Sequence, residues 1–329
     1  MLIALDVMGG DRAPVETLHG AVLARQQLGI QVVLVGPRSI IEEELAHSAG
    51  LPDGLQVVEA NEAVAMDDAP AAAVRHRKDA SINVAMGLVK RGIASAVVSA
   101  GNTGAVMASA LLNLGRIEGL ERPAIGTMVP YGDPGVLILD IGANADCRPT
   151  YLLQFAQMGS VYLEKVYGIP RPRVGLLNIG EEEGKGNELA VQVYPKLKES
   201  GLNFVGNIEG RDLHRGLVDV VVTDGFTGNV AVKVGEGVAD FLHSVLFEAV
   251  TSRPHYSLAA LLLKPALKKV KARFDHNERG GAPLLGVNGV VIIAHGRSDA
   301  NGIKNALRIA HEGAVTGMAD AIRNALMHQ

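Results

Sequence analysis

Short apolar runs, most of them continuous over four to six residues, alternate with helix-like stretches along almost the whole chain. A run that is apolar at consecutive positions, rather than at every second one, suits a strand covered on both faces. The runs fall at Leu2–Val7, Gln31–Val35, Leu55–Val58, Ser95–Ser99, Ala124–Val129, Val136–Asp140, Val174–Asn178, Phe204–Gly206, Val218–Thr223 and Val290–Ala294. Helical spacing marks Val15–Leu28, Ile40–Ala49, Gly104–Leu114, Tyr151–Val166 and Glu188–Glu199 between them. The alternation predicts one α/β domain over residues 1–329, with a mostly parallel, Rossmann-like, doubly wound sheet between helices on both faces. Gly119–Gly135, with three prolines and two apolar runs, predicts an antiparallel hairpin.

One region breaks the pattern. Thr227–Phe274 has no strand signal, only two helical stretches meeting at Ser252-Arg253-Pro254. The first repeats Phe241, Leu242, Val245, Leu246, Ala249 and Val250; the second carries Leu258, Leu261, Leu262, Pro265, Leu267, Val270 and Phe274. Together they predict an αα-hairpin over 238–275 that projects from the sheet. Its second arm places the apolar cluster Leu258–Leu263 before Lys264, Lys268, Lys269, Lys271 and Arg273. A helix packed on the core or on a second copy explains that pattern, with the basic residues solvated. A tip lying on an anionic bilayer, each basic residue contributing ~1 kcal/mol, explains it equally well. The same basic face would also receive an acidic protein.

Composition narrows the chemistry. The net charge of −4 gives no basic field for nucleic acid, and six Phe, six Tyr and no Trp leave few platforms for stacking bases. Cys147 is the single cysteine, so neither an intramolecular disulfide nor a cysteine metal cage is open to the chain, and no pattern calls for a metal or a cofactor. The opening Met1–Asp6 reads as a strand, without the basic start and apolar stretch of a signal peptide, and no apolar run approaches the ~20 residues of a membrane span. A cytoplasmic protein is expected.

In an open α/β sheet, ligands bind beyond the carboxyl ends of the strands. Several runs here lead straight into small, polar, Gly-rich turns: Asp6–Asp11, Ser99–Gly104, Asp140–Asn144, Asn178–Asn187, Asn207–Arg211, Thr223–Asn229 and His295–Ser298. Any one of them is an ordinary tight turn. All of them at one end of a sheet would describe a cleft, and that is the expectation. Ser99–Gly104 is the best anion site: a strand, a glycine turn, then a helix opening at Thr103 or Gly104 whose N–H groups would hold a phosphate-like dianion. Lys185, between Gly184 and Gly186, offers a point charge to the same anion, or is a solvated loop lysine beside Glu181–Glu183.

Familiar signatures are missing. Gly180–Gly186 is one residue short of a phosphate-binding loop and lacks its Ser/Thr, and no Gly-x-Gly-x-x-Gly follows an early strand. There is no Gly-x-Ser-x-Gly elbow and no His-Glu-x-x-His. Cys147, between Asp146 and Arg148, reads as structural rather than nucleophilic.

Asp6-x-Met8-Gly9-Gly10-Asp11, SAGNTGA at Ser99–Ala105, DIGAN at Asp140–Asn144, LLNIGEEEGKGN at Leu176–Asn187, GNIEGRD at Gly206–Asp212 and VTDGFTGNV at Val222–Val230 recur in order. In these motifs, across essentially the whole chain, the sequence resembles the phosphate acyltransferases of bacterial phospholipid synthesis. The resemblance implies transfer of a fatty acyl group from the thioester of acyl carrier protein to inorganic phosphate, giving acyl phosphate. It also implies a homodimer that works at the membrane surface without spanning it. The fold it implies is an α/β/α sandwich related to phosphotransacetylases and isopropylmalate-type dehydrogenases.

That chemistry needs no covalent intermediate, because phosphate is a competent nucleophile and a thiolate a good leaving group. The site has to orient the anion and stabilise the oxyanion, for which one donor is worth roughly 10²–10³ in rate. Ser99, Gly101, Asn102, Thr103 and Gly104 are assigned to phosphate. Lys185 would neutralise phosphate or the developing oxyanion, with Asn187 and Asn229 as neutral donors. Asp140, Asn144, Asp224, Gly225, Thr227, His295 and Ser298 would complete the cleft, His295 as candidate acid for the departing thiolate. Two basic stretches compete for the acidic carrier protein, Arg75-Arg77-Lys78 and Lys264–Arg273. The rival readings are a phosphotransacetylase using acyl-coenzyme A, a decarboxylating dehydrogenase of similar fold, and a membrane-recruited scaffold that binds carrier protein without turnover.

Overall fold

A computed structural model describes residues 1–46, 52–132, 134–253, 255, 262–266, 268 and 276–327. In chain order the strands are β1 (Leu2–Asp6), β2 (Gln31–Gly36), β3 (Leu55–Glu59), β4 (Ala96–Ser99), β5 (Ala124–Val129), β6 (Val136–Leu139), β7 (Arg173–Asn178), β8 (Asn203–Glu209), β9 (Val220–Val222), β10 (Ala282–Leu285) and β11 (Val290–Ile293). The helices are α1 (Val15–Leu28), α2 (Arg38–Ala46), α3 (Pro70–His76), α4 (Ser81–Lys90), α5 (Thr103–Asn113), α6 (Pro149–Val166), α7 (Glu188–Glu199), α8 (Gly225–Thr251), α9 (His276–Arg279), α10 (Ala300–Val315) and α11 (Met318–Met327).

Successive strand residues point to opposite faces, and the apolar runs feed both. Ile3, Leu5, Val32, Leu34, Leu137 and Leu139 join one core with the inward faces of α1, α6, α7, α10 and α11. Ala4, Val33, Val35 and Val97 face the other way and pack under α4 and α5. Ile138 and Val221 do the same beneath the 3₁₀ turn Gly210–Arg215 and part of α8. The result is the expected three-layer α/β/α sandwich, with one continuous core on one face and two separate cores on the other.

The strand order is β3-β2-β1-β4-β11-β10-β5-β6-β9-β7-β8. β1 to β4 and β11 are mutually parallel. β10 runs against β11 and β5, and β5 runs against β6. β6, β9, β7 and β8 are parallel to one another. Three successive reversals therefore leave the second parallel block pointing opposite to the first. This corrects the expectation of a single row of turns. The turns after Asp6, Ser99 and Ala294 close one block, whereas those at Asp140, Asn178, Glu209 and Thr223 close the other, at the opposite strand ends.

The reversals sit where sequence periodicity is least informative. The antiparallel hairpin is β5–β6, built over Ala124–Leu139. β10 went unread because Pro283 stands inside it, and proline demotes a strand assignment. The strand is also split between neighbours: Ala282 and Pro283 pair with β11, Leu284 and Leu285 with β5.

α8 runs unbroken for 27 residues, and its outer half keeps Phe241, Leu242, Val245 and Leu246 exposed. It covers the stretch expected as the hairpin's first arm and begins earlier, at Gly225. Of the second arm, residues 262–266 and 268 are helical and exposed; Leu258–Leu261 and 269–275 lie outside the described residues. No helix among the described residues is long and apolar enough to cross a membrane.

Candidate functional site

β1 and β4 are neighbours, so their last residues, Asp6 and Ser99, meet. Ser99 is fully buried; its hydroxyl donates to Asp6 Oδ2 at 2.7 Å and accepts from the Gly101 N–H at 3.1 Å. Asn102 caps α5 through Oδ1, which accepts from Ala105 N–H at 3.2 Å, and its Nδ2 donates to the Met66 carbonyl at 2.7 Å. Both side chains thus build the turn from within rather than face a ligand. Gly104 also has a packing reason, since a Cβ there would lie 2.8 Å from Pro70 Cγ at the start of α3. What the turn leaves outward is Thr103, exposed at the helix start, and the first N–H groups of α5, which have no intrahelical acceptor.

The adjacent β11 ends beside β4, where the Ala294 N–H donates to the Ser99 carbonyl at 2.9 Å. His295 follows, exposed, with Nδ1 accepting from the Arg297 N–H at 3.1 Å. That bond occupies the Nδ1 lone pair, so the proton of the neutral ring sits on Nε2; the ring would serve as an acid only as imidazolium, with Nδ1 turned from acceptor to donor. Ser298 is buried beside the start of α10. The Asp11 N–H reaches the Gly296 carbonyl at 2.8 Å, so the β1, β4 and β11 turns form one unit.

In the second block, Asp140 is fully buried. Its Oδ1 accepts from the N–H groups of Ile125, Gly142 and Ala143 at 3.0, 3.2 and 3.1 Å. Its Oδ2 accepts from Asn144 N–H at 2.7 Å and Asn144 Nδ2 at 3.0 Å. Burial pushes this carboxyl above the usual range, against the pull of those donors. Asn144 Nδ2 also donates to the Pro123 carbonyl at 2.8 Å. Asp140 and Asn144 are therefore spent on the turn.

α8 starts on top of it. Asp224 caps the helix, Oδ1 accepting from Thr227 N–H at 2.8 Å and Oδ2 from Thr227 Oγ1 at 2.7 Å. The Gly225 N–H donates to the Asn144 carbonyl at 2.8 Å, and a Cβ on Gly225 would come within 2.6 Å of that oxygen. Gly228 is packed more closely still against the Asp140 carbonyl. Half-buried Asn229 presents its amide 3.5 Å from where a Cβ on Gly142 would stand. Ile141 packs against both cores of this face, so the turn lies at the junction of the two blocks.

Lys185 rides on a loop held at its base. Asn178 Nδ2 donates to the Lys185 carbonyl at 2.8 Å, and Asn207 Nδ2 to the Glu182 carbonyl at 2.7 Å. Lys198 pairs with Glu183 at 2.6 Å, and Asn187 caps α7 by accepting from Ala190 N–H at 2.9 Å. Lys185 itself is exposed, and among the described residues it has no ion pair; its stem crosses Gly180, where a Cβ would meet Lys185 Cγ at 3.1 Å.

Sequence reading missed the residues that act from behind. Asn178 and Asn207 stand inside motifs, but nothing in their spacing says which carbonyl each will hold. Ser81, whose hydroxyl donates to Asp6 Oδ1 at 2.6 Å, carries no signal at all. The basic stretch is smaller than expected, and Cys147 keeps its structural reading. Arg77 is tied to Asp68 and to the Ala63 carbonyl, which leaves Arg75 and Lys78 as the exposed members of that basic stretch. Cys147 has its thiol pushed up to about 12, chiefly by burial, with Asp140, Asp224 and Asp146 adding to it. A thiol so placed is no nucleophile near neutral pH. Among the described residues, no group of three His, Cys, Asp or Glu could hold a metal ion.

Residues 1–321 match the protein family described as "Fatty acid synthesis protein". The chain is 53% identical over 324 residues to the phosphate acyltransferase of Heliobacterium modesticaldum, covering 98% of this chain and 97% of that one. It is 50% identical over 330 residues to the phosphate acyltransferase of a Nostoc species, covering 99% and 94%. Among solved structures it is similar to a phosphotransacetylase from Streptococcus pyogenes, with TM-score 0.65 and 15% identity over 96% of this chain and 94% of that one. A 4-hydroxythreonine-4-phosphate dehydrogenase from Klebsiella pneumoniae aligns with TM-score 0.57 and 14% identity over 95% and 99%. At these identities the structural likeness speaks for the fold alone.

Proposed function

The chain belongs to the fatty acid synthesis protein family of phosphate acyltransferases, and from that membership we propose that its acyl donor is acyl-acyl carrier protein and its product acyl phosphate. An oxygen of bound phosphate attacks the thioester carbonyl; the tetrahedral oxyanion collapses, the C–S bond breaks, and the carrier's thiolate takes up a proton. The observation that carries this reading is the Ser99–Gly104 turn. Its Ser99 and Asn102 side chains are consumed internally, so what it offers an anion is exposed Thr103 and the opening turn of α5, braced from below. A preset array of N–H dipoles holds a dianion with little reorganisation.

Lys185 is assigned the charge that the backbone lacks, for phosphate or for the oxyanion; its loop closes the other block, so this role requires the two sets of turns to meet over one substrate. Asn229, beside Gly142 at the junction, is the neutral donor for the oxyanion, and Asn187 a further one. His295 protonates the leaving thiolate as imidazolium, which requires its Nδ1 to give up the Arg297 N–H it accepts in the neutral ring. Asp224, Gly225 and Thr227 act by seating α8, which carries Asn229. The exposed apolar flank of α8 (Phe241, Leu242, Val245 and Leu246) supports a second copy of the chain as its cover. Contact of Leu258–Arg273 with a membrane surface rests on that segment's sequence.

The test is phosphate-dependent thiol release, with palmitoyl-acyl carrier protein and palmitoyl-coenzyme A offered in parallel. Release from the carrier protein that requires phosphate and yields acyl phosphate is the expected result. Release from coenzyme A alone would instead make the enzyme a phosphotransacetylase. Binding of carrier protein without release from either would leave a scaffold. In the active protein, Lys185→Ala should lower turnover roughly 10²–10³-fold, the scale of one lost transition-state donor. Near-normal turnover with tight phosphate binding would remove Lys185 from the chemistry.

A further inference from the structure

Asp6 takes no part in the chemistry just outlined, yet it is among the most constrained polar groups of the fold. It is 3% exposed. Ser81 Oγ, at the first residue of α4, donates to its Oδ1 at 2.6 Å, and Ser99 Oγ donates to its Oδ2 at 2.7 Å. The Met8 and Gly9 N–H groups also donate to it. One carboxylate thereby ties together three segments that are remote in sequence: the turn after β1, the start of α4 and the turn after β4.

The geometry has no slack. A Cβ on Gly9 would stand 2.7 Å from Asp6 Oδ2, 2.8 Å from Ser99 Oγ and 2.8 Å from the Gly101 nitrogen. The turn after β1 is thus closed down on the anion-binding turn. The cavity between them, lined by Asp6, Ser81, Ser99, Gly101 and Asn102 among others, measures about 10 Å³. That is one water's worth of space, and a phosphate does not fit. Asp6 acts through the turn or not at all.

Its route is through Ser99. Because that hydroxyl spends its proton on Asp6, a lone pair is turned toward the Gly101 N–H, which it accepts at 3.1 Å. The bond fixes the peptide from which α5 opens. A buried carboxylate is a costly way to fill space, but it is a strict acceptor, so it sets the direction in which Ser99 donates. An amide at position 6 has one oxygen for two serine donors and lets that direction reverse.

Resting on the reading that this turn receives phosphate, we propose that Asp6 is a positioning residue of the anion seat, aiming the first N–H groups of α5 by way of Ser99 Oγ and the Gly101 peptide. The experiment compares Asp6→Asn, Ser99→Ala and the double variant in phosphate-dependent turnover. Asp6→Asn should raise KM for phosphate roughly tenfold, the scale of one charge-assisted hydrogen bond, and leave KM for the thioester within about twofold. Its melting temperature should stay within about 5 °C of the parent. Ser99→Ala should give the same split and stands in for Asp6→Asn if that variant does not fold. The double variant should be no worse than the larger single one, since both act along one route.

An unchanged phosphate KM in both single variants would overturn the proposal, as would KM for both substrates and the melting temperature worsening together. Amide hydrogen exchange separates this from the reading beneath it. Inorganic phosphate should slow exchange at Gly101–Ala105 in the parent protein. No slowing there would overturn the phosphate reading itself; slowing in the parent and equally in Asp6→Asn at the same phosphate concentration would overturn the role of Asp6 alone.

Discussion

Each parallel block of the sheet has a buried aspartate at the end of one strand, Asp6 closing β1 and Asp140 following β6, and the two are built in opposite ways. Asp140 gathers its own turn: Gly142, Ala143 and Asn144 lie within four residues of it, and Ile125 is its strand neighbour. Asp6 reaches across the chain to hydroxyls 75 and 93 residues away. Burial raises both carboxyls. The same residue type at the same kind of strand end thus serves local folding in one block and alignment between segments in the other. Stability should depend more on the first, and ligand geometry more on the second.

The largest effect expected is Asp140→Ala. It leaves the N–H groups of Ile125, Gly142, Ala143 and Asn144 and the Asn144 amide short of an acceptor, with Ile125 and Asn144 buried, a loss on the order of 3–5 kcal/mol in urea unfolding. Asp6→Ala should cost less, about 1–3 kcal/mol, because two of its donors are serine hydroxyls that rotate to other acceptors, leaving only the Met8 and Gly9 N–H groups short. A larger loss at Asp6 than at Asp140 would invert the comparison.

Next in size is the pH dependence of these costs. A carboxyl raised in the folded state contributes stability that is fully present below its unfolded value and is lost as pH rises through the folded one. For Asp140 that window opens at the unfolded value of 3.8 and extends upward. Asp219 is the opposite case: Arg173 donates to both of its oxygens and holds it below 3.8. Its stabilisation is present above 3.8 and is lost as pH falls through the folded value. The cost of Asp219→Asn should therefore fade in acid, while that of Asp140→Asn should grow. Parallel trends in chemical denaturation between pH 3 and 7 would contradict the assignment.

The same local-versus-remote contrast governs what the sequence could reveal. The Asp140 turn, the Asn102, Asn187 and Asp224 caps and the strands that precede them are written in consecutive residues, so motif and periodicity expose them. The opposed direction of the two blocks turns on β10, four residues with Pro283 inside, split between its near neighbour β11 and β5, more than a hundred residues distant. Ser81 owes its place to tertiary contact alone. Spacing that marks Ser99, Asn102 and Asp224 as polar turn residues does not show that their side chains will be spent inward. Composition finds the turn; only packing decides which of its atoms remain for a ligand.

The smallest effect should be at Cys147, and it sharpens the account of the Asp140 side. The half-buried thiol sits against the Asn144 carbonyl at 3.6 Å, in the field of Asp140 and Asp224, with its pKa pushed up to about 12. At pH 8 a thiol with that pKa is ionised on the order of 10³-fold less than a free cysteine. The greater intrinsic nucleophilicity of a more basic thiolate returns about one and a half powers of ten. Alkylation by iodoacetamide should then run on the order of 10² times slower than for glutathione before burial is counted. Cys147→Ala should change turnover by no more than about twofold. Asp140→Asn removes one of the charges that oppose ionisation and should speed alkylation in the folded protein. Alkylation of the parent at the rate of a small free thiol would mean that the turn opens readily, and that the bonds around Asp140 do not hold it closed.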